Sequence, residues 1–254
     1  MVVALTVTLS LVSRSITNIK TSTEQANSQK ALSAAEAGIE RTLKSGAAIG
    51  TDVTLPNGTS YTTTITQVSG ATEFWVNGGE SVSKDSGSYL WLTPYAENPA
   101  DRWKNPWNGN ITIYWGWNSG SGQSISCNDA AIEVVVLSGV NVDSAKIERF
   151  TFDRCQTRRE ENNFSPGSDA FTDVKGRNFS YKAPNIPVTN GLLIRIVPLY
   201  FSTHIGAVGS VPLPNQGAEI TSVGTLDTIQ RKVKVFQSYP ELPAELFPYS
   251  LLSL

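Results

Sequence analysis

For nucleophilic chemistry this 254-residue chain has many serines and few bases to activate them. Its one histidine, His204, stands in FSTHIGAVG, and no G-x-S-x-G elbow accompanies it. A single imidazole nearly excludes a charge-relay triad or a multi-histidine zinc site. Glu97 and Asp101 are the residue types of a glycosidase pair, but such pairs are ordinarily surface residues. Asp169 and Asp173, in SPGSDAFTDVKGRN, can offer oxygen ligands from a loop, yet they miss the calcium-loop spacing of acids followed by glycine. The glycine-rich residues 118–123, NSGSGQ, lack the Lys-Ser/Thr ending of a phosphate loop and read as a turn. Residues 154–161, RCQTRREE, read as a solvated loop. The expectation is a non-enzyme with no catalytic residue, no metal and no cofactor.

Two groupings remain. Residues 131–137 and 146–152 flank a loop containing Gly139 and Asn141, which predicts an antiparallel hairpin centred near Asn141. That register sets Cys127 opposite Cys155, just beyond the strands. A disulfide there implies an oxidising, extracytoplasmic compartment; the alternative is two buried thiols. Trp91, Trp103, Trp107, Trp115 and Trp117 crowd one segment beside Tyr89, Tyr95 and Tyr114. Such aromatics serve either a β-rich core or a carbohydrate-binding platform. Trp115 and Trp117 share a strand face, and Trp103 and Trp107, in DRWKNPWNGN, are expected to be the exposed pair.

The elements that must position these residues follow from the two ends of the chain. Residues 1–12, MVVALTVTLSLV, carry no charge and no helix breaker. A spanning helix needs about 20 apolar residues, so the run reads as part of a longer membrane helix, with a signal-peptide core or a buried soluble helix as alternatives. Residues 13–44 stay helix-compatible, without proline and with only Gly38 interrupting. Ile16, Ile19, Thr23, Ala26, Ala31, Ala34, Ala35, Ile39 and Leu43 recur at spacings near three and four, a narrow stripe of mostly small residues. Beyond residue 50 the texture changes to short β-rich runs, and 60–68, 73–77, 88–93, 110–117, 131–137, 146–153, 192–200, 218–223 and 231–237 are predicted strands. Residues 192–200, LLIRIVPLY, read as a central strand covered on both faces, with Pro198 limiting its pairing. The fold class expected is α+β: a helix over 1–46 and a β-rich, largely antiparallel head over 47–254. Lysine plus arginine number 20 against 22 aspartate plus glutamate, so no basic footprint for nucleic acid exists.

Ala34-Ala35-Glu36-Ala37-Gly38-Ile39-Glu40, preceded by an apolar start and a Ser/Thr/Gln-rich helix, resembles the N-terminal helix of PilX-type minor pilins. Residues 231–254, RKVKVFQSYPELPAELFPYSLLSL, resemble the closing segment of large pilin-like proteins. These residues begin inside the apolar run, so neither that family's basic leader nor the Glu common at its fifth mature position is seen in them, and Leu5 stands fifth. The resemblance implies a structural subunit of a type IV pilus-like system, anchored in a bacterial membrane by its helix and displaying its head at the cell surface. Implied partners are other pilin subunits, the pilus assembly machinery and the membrane. Ile16, Ile19, Ala34, Ala35, Glu36, Ala37, Gly38 and Ile39 would pack helix against helix. Glu24, Lys30, Glu36, Glu40 and Arg41 either set register by charge pairing or form a solvated face. The rival reading is a membrane-anchored adhesion module that binds surface glycan through Trp103, Trp107, Trp115 and Trp117.

Overall fold

A computed structural model describes residues 2–96, 98–117 and 127–239. In chain order the elements are α1 (Val2–Ser45), β1 (Val53–Thr54), β2 (Ser60–Gln67), β3 (Glu73–Trp75), β4 (Ser88–Trp91), β5 (Trp107–Trp117), β6 (Ala131–Ser138) and β7 (Lys146–Asp153). There follow α2 (Gln156–Asn162), β8 (Ser165–Pro166), β9 (Ser168–Val174), β10 (Arg177–Lys182), β11 (Ile186–Leu199), β12 (Ile205–Gly209), β13 (Gly217–Leu226) and β14 (Ile229–Ser238). The class is α+β with a largely antiparallel β-rich body, as expected.

The compact units do not divide at residue 46. One comprises Met1–Thr66 with Ala218–Gln237, the other Gln67–Gly217 with Ser238–Leu254. The reason is that the helix must bury its apolar stripe, and strands from both ends of the chain supply the cover.

In the first unit, α1 runs 44 residues, about 66 Å at 1.5 Å per residue. It stops where Gly46 takes φ +67°, its N–H bonding Thr42 O at 2.8 Å, a conformation glycine adopts without penalty. Among the described residues no helix is long and apolar enough to cross a membrane. The sheet order is β1-β2-β13-β14, and the two-residue link Asp227-Thr228 makes β13 and β14 a hairpin, with Asp227 at φ 52°. Lys234 pairs with Glu219 at 2.6 Å across it. Lysines and Arg231 along this long edge strand discourage edge-on pairing with other chains.

In the second unit, ten strands form one sheet with the path β3-β12-β5-β11-β6-β7-β8, while β4 joins β11, β10 joins β5 and β9 joins β10. The strand expected at 192–200 begins earlier, at Ile186. It pairs with β5 over Ile186 to Gly191, then runs between β6 and β4. Leu193, Ile194 and Ile196 are fully buried. Pro198 lies beyond the stretch held by β4, which ends with Ser88 opposite Ile196, so its missing N–H costs no ladder bond on that side. The β6–β7 hairpin forms with Ile132 opposite Phe152 through Ser138 opposite Lys146, centring the turn on Val142, one residue past expectation.

All nine predicted strands are present. Two segments read as loops are not: residues 168–182 form the β9–β10 hairpin, and residues 156–162 form α2. The charged sequence QTRREEN has good helix formers, and a single turn-and-a-half needs no apolar stripe to persist beside a packed strand.

The helix seat rests on two glycines. A Cβ at Gly224 would lie 2.0 Å from Ala31 O and 2.5 Å from Ala35 N, and one at Gly38 would meet Ser222 Oγ at 2.3 Å and Tyr61 at 2.8 Å. Gly224→Ala is therefore expected to lower stability by about 3 kcal/mol through overpacking against helix backbone. Gly50→Ala, whose Cβ meets nothing within 4 Å, should stay within about 0.5 kcal/mol. Urea unfolding followed by circular dichroism checks both, and equal midpoints would refute the seat.

Candidate functional site

The surface best fitted to a function is the first half of α1. Ala31, Ala34, Ala35, Gly38, Ile39 and Thr42 follow helical spacing and are buried against β2 and β13. Alanine buries little apolar area, so this seat is set by close approach more than by hydrophobic payload. Polar contacts fix its end: Thr42 Oγ1 and Thr63 Oγ1 lie 2.8 Å apart, and Arg41 Nη1 donates to Tyr61 OH at 3.2 Å. Toward the N-terminus the cover ceases. Ile16 and Ile19 are 61% and 65% exposed, and Arg14 and residues 17–26 are exposed with them. Two β-branched residues one turn apart on bare helix form a small apolar spot rimmed by Lys20 and Glu24, whose charges lie 4.0 Å apart.

This corrects part of the sequence reading. Ala34, Ala35, Gly38 and Ile39 meet the chain's own sheet, so they are not available to a second helix. Glu36 is exposed and Ala37 half-buried. Of the expected packing residues, Ile16, Ile19 and Glu36 are exposed, and Ile16 and Ile19 are the apolar ones among them.

The tryptophan platform does not assemble. Trp107 is 7% exposed and begins β5 instead of lying in a loop, its Nε1–H donating to Pro212 O at 3.1 Å. Trp115 is fully buried, with Nε1–H bonded to Ala130 O at 2.8 Å. Both serve the core because alternation along β5 turns odd positions inward. Trp103 is half-buried in the short 3-10 turn Pro99–Trp103, and the Trp117 side chain lies outside the described residues. Trp91 heads a different cluster, edge-on to Tyr95 and Tyr239, which stack on each other at 4.5 Å.

The polar candidates are spoken for locally. Asp169 receives a forked pair of bonds from Arg154 at 2.8 and 3.0 Å, which holds its carboxyl below the usual range. Asp173 accepts the Gly176 N–H and closes the β9–β10 turn. Asp101 pairs with Lys104 at 2.6 Å, while Glu97 and residues 118–126 lie outside the described residues. Burial, then Arg177, push the His204 pKa down against a smaller pull from Glu80. Among the described residues no group of His, Cys, Asp and Glu is placed to hold a metal.

Cys127 and Cys155 form the expected disulfide, closing 28 residues. The residues beside it escaped the sequence reading. Asp153 is fully buried and takes Arg158 Nε–H and Nη2–H at 2.8 Å each, while its Oδ1 also accepts the Cys155 N–H. Arg158 further donates to Cys127 O and Asp129 O, and lies 4.4 Å from the centre of the Tyr200 ring. Asp129 Oδ2 accepts from Tyr181 OH, and burial, then that bond, drive the phenol pKa up. The signal available was an acid at a strand end with an arginine five residues on, which has meaning only once α2 turns the chain back.

No family model matches the chain, and comparison with curated proteins and with solved structures returns no match.

Asp153→Ala should destabilise by about 3–5 kcal/mol, because it strands a largely buried guanidinium, whereas Glu148→Ala, at an exposed pair with Lys146, should cost under about 1 kcal/mol. Urea unfolding with the disulfide intact compares them. The Arg154–Asp169 pair has its own pH signature. A depressed carboxylate pKa adds stability above the unfolded value, and that stability is lost as pH falls through the depressed folded value. Arg154→Gln should raise the Asp169 midpoint in a carboxyl carbon NMR titration; an unmoved midpoint would refute the assignment.

Proposed function

We propose that this chain is a structural, minor pilin-like subunit of a type IV pilus-like system, held by its N-terminal helix and displaying its β-rich body outside the cytoplasm. The observation that carries the reading is the division of α1: its second half is seated on the chain's own sheet, whereas residues 16–26, with Ile16 and Ile19, are exposed. A monomeric soluble domain gains nothing from extending a helix about 20 Å beyond its cover, since an isolated helical stretch of that length is marginal in water. A subunit that shares helices with its neighbours does.

The apolar residues Val2 to Val12 continue the same helix. Before assembly they lodge in a bilayer, where valine, leucine and alanine side chains are at home and the helix satisfies its own backbone. In a filament the neighbouring helices take the place of lipid. The disulfide fits an oxidising compartment. The resemblance around Ala34 to Glu40 supports the same reading. Burial of Trp107 and Trp115 removes the main support of the glycan-binding alternative.

The paired substitution Ile16→Asp, Ile19→Asp tests the proposal in producing cells. Recovery of the chain in sheared surface fibres should fall by about tenfold or more, as two buried charges would be intolerable between helices. The variant should still be made, with Cys127 and Cys155 oxidised. Undiminished recovery in fibres, or absence of the unaltered chain from fibres, would overturn it.

A further inference from the structure

We propose that the Asp153–Arg158 ion pair closes the junction at the end of β7 before the cysteines do, making Arg158 a positioning residue for oxidation of Cys127 and Cys155. The disulfide links the stretch leading into β6 to the second residue after β7. Arg158 links the same two stretches without sulfur. Its Nη1–H reaches Cys127 O at 3.0 Å and its Nη2–H reaches Asp129 O at 2.8 Å. On the other side Nε–H and Nη2–H grip Asp153, whose Oδ1 holds the Cys155 N–H at 2.8 Å. A continuous polar bridge thus runs from the carbonyl of one cysteine to the amide of the other. The planar, forked guanidinium is suited to this because its donors diverge in one plane; an ammonium has no such fork.

Two further contacts hold the first stretch in place. Tyr181 OH donates to Asp129 Oδ2, and Trp115 Nε1–H donates to Ala130 O. Residues 127–130 are therefore fixed at four acceptors that owe nothing to the S–S bond. Closing the loop is already accomplished by these contacts, so the two thiols of the reduced chain meet at a high effective concentration.

The oxidation proceeds by thiol–disulfide exchange with a small disulfide such as oxidised glutathione. One cysteine thiolate attacks a glutathione sulfur, the S–S bond of glutathione breaks, and a mixed disulfide forms as the first glutathione thiolate leaves. The second cysteine thiolate attacks the protein sulfur of that mixed disulfide, forming the Cys127–Cys155 bond and expelling the second glutathione thiolate. Both thiol protons pass to solvent, and the two electrons lost by the dithiol reduce the oxidant. Arg158 acts on the second step alone, by holding the second sulfur within reach.

The test uses the whole chain, reduced with dithiothreitol, desalted and given oxidised glutathione, with acid quenching, alkylation and intact mass read over time. In the unaltered chain closure should outrun mixed-disulfide formation, so little of the adduct accumulates. Arg158→Gln should slow closure by about tenfold or more and let the adduct build up, while the first step changes by less than about twofold. Arg158→Lys should fall between them. Equal closure rates for Arg158→Gln and the unaltered chain would overturn the proposal. Should Arg158→Gln fail to fold, the doubly substituted Cys127→Ser, Cys155→Ser chain decides: a slowly exchanging Arg158 Nε–H signal by NMR supports the preformed junction, and its loss refutes it.

Discussion

Everything in the helix-bearing unit depends on how closely one helix can approach one sheet. Backbone meets backbone where Gly224 sits under Ala31 and Ala35, and Gly38 reciprocates by leaving room for Ser222 and Tyr61. Because the contacting residues are so small, little apolar area holds the helix down, and shape must supply what area does not. The seat tolerates neither a larger residue nor a register slip, since a shift of one position along α1 would put Ile39 where Gly38 lies and Glu36 where Ala35 lies. That constraint fixes which face of α1 is bare further along, and hence where Ile16 and Ile19 stand.

The second unit is organised on a different principle. A long central strand, β11, shares its length among β5, β6 and β4, and the bulge near Asn190, at φ 54°, lets it change partners. Tryptophans that could have faced solvent are absorbed here, each with its indole N–H satisfied by a carbonyl, as buried indoles require. Around the disulfide the same rule governs charge: a fully buried carboxylate and its arginine spend most of their bonding capacity on backbone and on each other.

Much of this was legible in the sequence, for identifiable reasons. The strands with β-branched alternation, such as 131–137 and 146–153, announce themselves, and so does the proline-free stretch that becomes α1. Strands β9 and β10 were hidden because SDAFTDV and RNFSYK carry turn-forming Asp, Ser and Asn, all but Ser180 at exposed positions. The small-residue stripe on α1 stated how near a partner would come but not which partner, and a sheet fits that description as well as a helix does. Trp107 illustrates the same gap, since the residue type gives the size of the buried payload without the direction in which it points. The Arg158 bridge was illegible because every contact it makes is set by a chain reversal at α2.

One feature of the chain order bears on how the molecule is made. The second unit is inserted between β2 and β13, so β13, which covers α1 at Ala31 and Ala35, is synthesised only once the chain has passed residue 217. At ordinary elongation rates the helix therefore waits on the order of ten seconds with its alanine face uncovered. Over that interval the inserted body can complete most of its own sheet from contiguous residues, whereas α1 has β2 but not β13 to pack against. The nascent helix consequently has β2 within reach well before β13, and the order of those two encounters is written into the topology.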